Sequence, residues 1–174
     1  GYGLELMVRK TRGKITGWIS YTWSRSFKQI EGINNNDPYP AHYDRPNDLS
    51  VTLNYKVTPT ISLGMNWVYL TGQPVTFPVG RYGYMNNIVP VYSERNSYRF
   101  PDYHRLDLSF TWTEKEKPNK RWRNEVNFSI YNAYNRKNPW VINFQEDPNA
   151  ANQTFAEMTY LFGIIPSVTY NFSF

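Results

Sequence analysis

Ile165-Pro-Ser-Val-Thr-Tyr-Asn-Phe-Ser-Phe174 alternates strictly from Pro166 onward. Val168, Tyr170, Phe172 and Phe174 fall on one side, and Ser167, Thr169, Asn171 and Ser173 on the other. A period of two is that of a β-strand, so the segment has one apolar and one polar face. About ten residues is also the length that a tilted strand needs to cross a bilayer. The pattern fits the closing strand of a membrane barrel, and it also fits the last strand of a soluble β-sandwich. The rest of the chain has to separate the two.

The same alternation recurs upstream. Leu4, Leu6 and Val8 alternate with Glu5, Met7 and Arg9. After the turn Thr11-Arg-Gly-Lys14, Ile15, Ile19, Tyr21 and Trp23 alternate with Thr16, Ser20, Thr22 and Ser24, so the two segments read as a hairpin with Gly13 at positive φ. Trp18 falls on the polar side. A second hairpin sets Leu49, Val51, Leu53 and Tyr55 against Ile61, Leu63, Met65, Trp67 and Tyr69 across Val57-Thr-Pro-Thr60. A third sets Leu106, Leu108, Phe110 and Trp112 against Val126, Phe128 and Ile130 across the charged segment 114–121.

Composition narrows the classes. No apolar run approaches the about 18 residues of a spanning helix. Aromatic residues make up 18% of the chain, a supply that suits the two ring girdles of a membrane barrel. There is no cysteine, so neither a disulfide framework nor thiolate metal chemistry is expected. The net charge of +5 alone would suit nucleic acid, but the densest charge, Glu114-Lys-Glu-Lys-Pro-Asn-Lys-Arg121, mixes both signs and reads as a solvated turn. No nucleic-acid partner is expected. The sequence opens on Gly1 with no basic-then-apolar leader, which reads as a removed signal peptide or as missing N-terminal residues of a longer protein.

Connections alternate in length. Short turns lie at 11–14, 57–60 and 114–121; long segments rich in Asn, Pro, Gly and Tyr lie at about 29–46, 72–102 and 136–155. Short periplasmic turns opposite long extracellular loops are the habit of outer-membrane barrels. Taking 156–174 as one long strand, bent or bulged at Gly163 and Pro166, gives about seven strands and leaves Phe174 on the periplasmic side. The expected fold is all-β: residues 1–174 form a single, incomplete domain, an antiparallel transmembrane β-barrel segment. Seven strands leave two open edges, so a larger barrel is implied.

Several segments resemble those of TonB-dependent outer-membrane receptors and transporters. They are Tyr43-Asp-Arg-Pro-Asn-Asp-Leu-Ser-Val-Thr-Leu-Asn-Tyr55, Thr71-Gly-Gln-Pro-Val-Thr-Phe-Pro78, Tyr98-Arg-Phe-Pro-Asp-Tyr-His-Arg-Leu-Asp-Leu108, Tyr131-Asn-Ala-Tyr-Asn-Arg-Lys-Asn-Pro-Trp140 and the terminal Leu161-to-Phe174 strand. They come in the family's order and cover nearly all of the chain. The resemblance implies the C-terminal portion of a barrel of about 22 strands with a plugged lumen. It further implies location in the outer membrane of a Gram-negative bacterium and active uptake of a nutrient too large for porins. Outer-membrane lipids would be partners, as would TonB through the missing N-terminal part, a transported ligand, and in some members a surface lipoprotein. Two other readings stay open: a small non-transporting barrel serving as anchor, adhesin or complex subunit, and a soluble carbohydrate-binding β-sandwich.

Catalytic and metal chemistry find little footing. His42 with Asp44, or His104 with Asp107, lacks the count and spacing of a ligand set, and no nucleophile elbow or phosphate-cradling loop occurs. No enzyme activity and no cofactor are expected. Asp44, Arg45, Arg105 and Asp107 fall where strands leave the membrane and suit charge pairs that lock adjacent strand ends. Tyr82, Tyr84, Tyr92, Tyr98 and Trp140 lie in the long loops and suit either ligand stacking or loop building. Trp23, Trp67, Tyr69, Trp112, Tyr170 and Phe174 sit near strand ends on the apolar side, as interface aromatics would. Asn127-Phe-Ser129, Asn152-Gln-Thr154 and Asn171-Phe-Ser173 match a glycosylation pattern by chance.

Overall fold

The computed structural model describes residues 1–85, 87–116, 121–146 and 154–174. The middle of the charged 114–121 turn and most of the Asn152-Gln-Thr154 triplet fall outside these residues. Seven long strands form one antiparallel sheet. They are β1 (Tyr2–Lys10), β2 (Ile15–Arg25), β3 (Asn47–Lys56), β4 (Ile61–Leu70), β5 (Tyr103–Thr113), β6 (Arg123–Tyr131) and β7 (Ile165–Ser173). Each pairs with its neighbour in sequence, so the sheet is an up-and-down meander with β1 and β7 at its two edges. No closure between those edges exists among the described residues.

Register turns the local alternation into two continuous surfaces. Ile15, Tyr55, Leu63, Phe110, Phe128 and Val168 stand opposite one another across six strands, β2 to β7. The row Gly17, Leu53, Met65, Leu108, Ile130 and Pro166 runs beside it. The reverse face carries rows such as Thr16, Asn54, Gly64, Ser109, Ser129 and Ser167. Its hydroxyls and amides bond laterally: Asn127 Nδ2 donates to Thr111 Oγ1 at 2.7 Å, and the Ser129 and Ser167 hydroxyls meet at 2.7 Å. A one-residue slip of any strand would turn its apolar set to the polar face, so the two surfaces fix the register together. Trp18 lies on the polar face opposite Thr52, as its parity demands.

The short turns gather at one end of the sheet and the long connections at the other. Gly13 has φ +100°, the left-handed conformation that its turn needs. In the 57–60 turn, the Val57 and Thr58 N–H groups donate to the Ile61 carbonyl at 3.0 and 3.1 Å. The long connections are not structureless. They contain the hairpin Pro78–Tyr84 with Asn87–Tyr92, a second of Val141–Glu146 with Thr154–Thr159, and the short pairs Phe27–Lys28 with Tyr39–Pro40 and Pro74–Val75 with Tyr98–Arg99.

One expectation is corrected. Residues 156–174 do not form a single strand: Thr154–Thr159 pairs with Val141–Glu146, and only Ile165–Ser173 joins the sheet. The interruption has a specific cause. Asn132 Nδ2 donates to the Phe162 carbonyl at 3.4 Å, and the Ile164 N–H donates to Asn135 Oδ1 at 3.0 Å. Backbone groups that a continuing strand would offer to a ladder are held by asparagine side chains instead.

Burial is concentrated outside the sheet. Tyr39, Ala41, Asp44, Gly72, Pro74 and Asn132 are the buried residues among those described, and all lie in the long connections. On the apolar face Val8 is 71% exposed and Val168 68%. The core of this chain is a layer of loops; the sheet below it is a wall with both faces open.

Gly17 sits where β2 meets β3 at φ +150°, and a Cβ there would collide with the Thr52 carbonyl oxygen. Gly17→Ala is expected to lower stability by about 1–3 kcal/mol. A fall in the midpoint of thermal unfolding followed by circular dichroism checks this.

Candidate functional site

The loop layer is organised by one buried carboxylate. Asp44 precedes β3, its side chain fully inaccessible, and it accepts the Ser26 N–H at 2.6 Å. Arg25, at the end of β2, contributes its Nε at 3.3 Å from Oδ1, and Arg99 binds Oδ2 through Nη2. Arg99 Nη1 also donates to the Asp44 carbonyl at 2.8 Å and the Gly72 carbonyl at 2.9 Å. A single guanidinium thus joins the connection 26–46 to both ends of the connection 71–102. Burial works against the Asp44 charge, yet the Ser26 N–H and the two arginines hold its pKa below the ordinary carboxylate value.

Hydrogen bonds continue from Gly72 toward β7. The Gly72 N–H donates to Asp102 Oδ1 at 2.9 Å, and the Tyr69 hydroxyl to Asp102 Oδ2 at 2.6 Å. These two donors, chiefly the tyrosine, hold the Asp102 pKa below the ordinary carboxylate value. Gly72 is buried with its backbone against Phe100, and a Cβ there would strike the Phe100 carbonyl oxygen. Arg136 Nη2 donates to the Asp102 carbonyl at 2.8 Å, and its Nε to Asn138 Oδ1 at 3.2 Å. Asn132, at φ +54°, accepts the Arg136 N–H at 3.0 Å and reaches Phe162. Each of the five family-like segments supplies at least one member of this network.

The four charged residues singled out by sequence divide. Asp44 locks strand ends, through Arg25 and Arg99. Arg105 and Asp107 pair within β5, with Nη2 and Oδ2 at 2.9 Å, and reach β6 where the Tyr131 hydroxyl accepts from Arg105 Nη1 at 2.9 Å. The Asn132 N–H donates to Asp107 at 2.9 Å, tying the same two strands. Arg45 instead reaches Gln73 Oε1 at 3.4 Å. Arg25, Arg99, Asp102 and Asn132 escaped sequence reasoning: polar residues beside turns have no periodicity, and each has a partner 19 or more residues away. The signal that could have found Asn132 and Asn135 is the Asn-x-x-Asn repeat itself, since asparagine tolerates the left-handed conformation that both adopt.

The loop aromatics occupy different places. Trp140 is 67% exposed and stands between two hollows that also share Tyr103 and Pro139. Tyr92 borders a space of about 550 Å³ between the hairpin that ends with it and the strand Val141–Glu146. Tyr98 stacks on Phe77 with ring centroids 5.4 Å apart, and Phe77 meets Phe144 at 5.1 Å. Tyr82 and Tyr84 lie exposed along Pro78–Tyr84. His104 Nδ1 lies 2.7 Å from the Tyr134 hydroxyl, and no group of three or more acidic or histidine residues suited to a metal occurs among the described residues.

The aromatics at the strand ends form two bands on the apolar face. Toward the long connections, Trp23 contacts Tyr2 at 5.7 Å between centroids and Trp67 stacks on Tyr69 at 6.3 Å. Toward the short turns stand Trp112, Tyr170 and Phe174; Trp122 packs on Phe174 at 5.3 Å, and the Tyr170 hydroxyl donates to Asn124 Oδ1 at 2.8 Å. No family model, curated protein or solved structure matches this chain.

Asp44→Ala leaves Arg25 and Arg99 without their carboxylate, a loss of roughly 3–5 kcal/mol for a broken buried pair. The connection 26–46 is expected to open while the sheet persists. Trypsin cleavage at Lys28 should rise more than about tenfold, with unchanged far-ultraviolet circular dichroism. In the unaltered protein the Asp44 pairing is fully present above about pH 4, the ordinary aspartate value. It is lost only as pH falls through the lower folded value. Cleavage within the connection 26–46 should therefore appear below that range, read with an acid-active protease, and not at neutral pH.

Proposed function

We propose that this chain forms part of the wall and the extracellular loops of an outer-membrane β-barrel of the TonB-dependent transporter type. The observation that carries the reading is the single-layer sheet with an unbroken apolar face. Six strands present Ile15, Tyr55, Leu63, Phe110, Phe128 and Val168 in register, and nothing among the described residues covers them. Water would penalise such a face; lipid would not. The strands are 9–11 residues long, and tilted by about 45° that length matches the roughly 25 Å apolar band of such barrels.

The aromatic bands support the same placement. Trp23, Trp67 and Tyr69 would lie at the outer interface and Trp112, Tyr170 and Phe174 at the periplasmic one, where amphipathic rings are favoured. The polar face, lined by small hydroxyl and amide side chains, would look into the lumen. The open edges of β1 and β7 would pair with further strands of a larger barrel. The resemblance of the loop-flanking segments extends the reading from barrel to transporter: a nutrient too large for porins would be bound on the loop side, and TonB would act on a part of the protein beyond these residues.

A water-soluble sandwich would require a second sheet on one of the two faces, and the loop hairpins lie at the sheet's end instead. The chain contains no cysteine, so introduced thiols report cleanly on each face. Cysteine at Leu53 or Phe110 in the full-length, membrane-embedded protein is expected to resist a charged maleimide. Cysteine at Asn54 or Thr111 is expected to react. Equal labelling of both pairs would overturn the membrane assignment.

A further inference from the structure

Two hollows of about 270 and 210 Å³ lie on either side of Trp140. Leu70 and Tyr103 line the first, and Tyr103 and Tyr131 the second. All three belong to the polar-face phase of their strands at the loop end. Trp140 is exposed, yet its backbone is fixed. The Trp140 N–H donates to the Thr159 carbonyl at 2.8 Å, and Asn138 Nδ2 and Oδ1 bracket the His104 backbone at 3.0 and 3.2 Å. An exposed ring on a rigid mount is a stacking platform whose ordering cost is already met.

The polar groups around it are unbalanced in kind. Arg105 Nη1 donates to the Tyr103 hydroxyl at 2.8 Å and the Tyr131 hydroxyl at 2.9 Å. Both oxygens are thereby used as acceptors, and at least one phenolic proton remains to donate. Gln73 turns its Oε1 toward Arg45, leaving its Nε2 available; Arg45 makes that one 3.4 Å bond and has further N–H groups. The nearby amides of Asn132 and Asn138 are engaged by backbone and by Arg136. The carboxylates of Asp44, Asp102 and Asp107 are likewise taken, and Asp48, opposite Leu70 in register, borders neither hollow.

We propose that the two hollows are one binding site for a cyclic carboxylate. Its ring stacks on the Trp140 indole, and its oxygens accept from Arg45, Gln73 and the Tyr103–Tyr131 hydroxyl pair. A neutral ligand would leave the Arg45 donors partly unanswered, whereas a carboxylate satisfies them with charge-assisted bonds. The assignment deepens the proposed reading and rests on it, since it places the first contact with a solute where the loops meet the lumen.

The test measures equilibrium binding of four probes to the full-length protein in detergent by calorimetry: benzoate and glucuronate, and their uncharged counterparts benzyl alcohol and glucose. Both acids are expected to bind at least about tenfold more tightly than their counterparts. Trp140→Ala should weaken both acids by a similar factor. Arg45→Gln should abolish the preference for the acids, and Tyr103→Phe, which keeps the ring, should weaken them measurably. Equal binding of charged and uncharged probes, no binding of any, or acid binding indifferent to Trp140→Ala would each overturn the site. Acid binding in a protein whose Leu53 and Asn54 cysteines label equally would preserve the site and remove the membrane reading. The reverse combination would do the opposite.

Discussion

Backbone hydrogen bonding is the constraint on which everything else here depends. A strand satisfies its N–H and C=O groups only through lateral neighbours, and in this chain each long strand finds them in the next long strand of the sequence. That simple meander fixes two things at once. It sends successive side chains to opposite faces, and it places successive connections at alternate ends, so the short turns share one end and the long segments the other. Face polarity and end polarity follow from the same ladder. Only the choice of residues decides that one face is hydrocarbon and the other hydroxyl and amide.

The wall has no core of its own, so the ordered packing is concentrated above it. Asp44, Arg99, Gly72, Asp102, Arg136 and Asn132 form a hydrogen-bonded path that starts beside β2 and ends just before β7. Charges are tolerated there because each is answered: Asp44 by two guanidinium groups and a backbone N–H, Arg105 by a carboxylate and two phenols. Loops rich in asparagine and proline would otherwise be mobile, and this path gives them a defined form. It also places Trp140 at a fixed position over the polar face, with one backbone bond to Thr159 and Asn138 beside it holding His104.

Much of the sheet was legible in the sequence, because a period of two sustained over nine or more residues is seldom produced by anything but a half-buried strand. The alternations at Leu49 to Tyr55 and Leu106 to Trp112 became β3 and β5, and the parity that put Trp18 on the polar face held in the register. The end of the chain shows the limit. Ala156, Met158, Tyr160, Phe162 and Ile164 share the apolar phase of β7, so despite the breaks at Leu161 and Ile165 the pattern extends the strand through a bend. Asn132 and Asn135 interrupt it from a distance, and side-chain capture of backbone groups leaves no periodic trace. The loop clamp was hidden for the same reason. Asp44 stood out beside its tyrosine and arginine, but its partners Arg25 and Arg99 are separated from it by 19 and 55 residues.

Amide hydrogen exchange of the two edge strands in the full-length protein tests the wall most directly. If the sheet is a segment of a closed barrel, Tyr2–Lys10 and Ile165–Ser173 must have partners on their outer sides as well. Their amides should then be protected as strongly as those of Asn47–Lys56 and Ile61–Leu70 in the middle of the sheet. Fast exchange of every second amide along both edges, with protection confined to the interior strands, would mean that the sheet stays open. A barrel wall would then be the wrong description of this molecule.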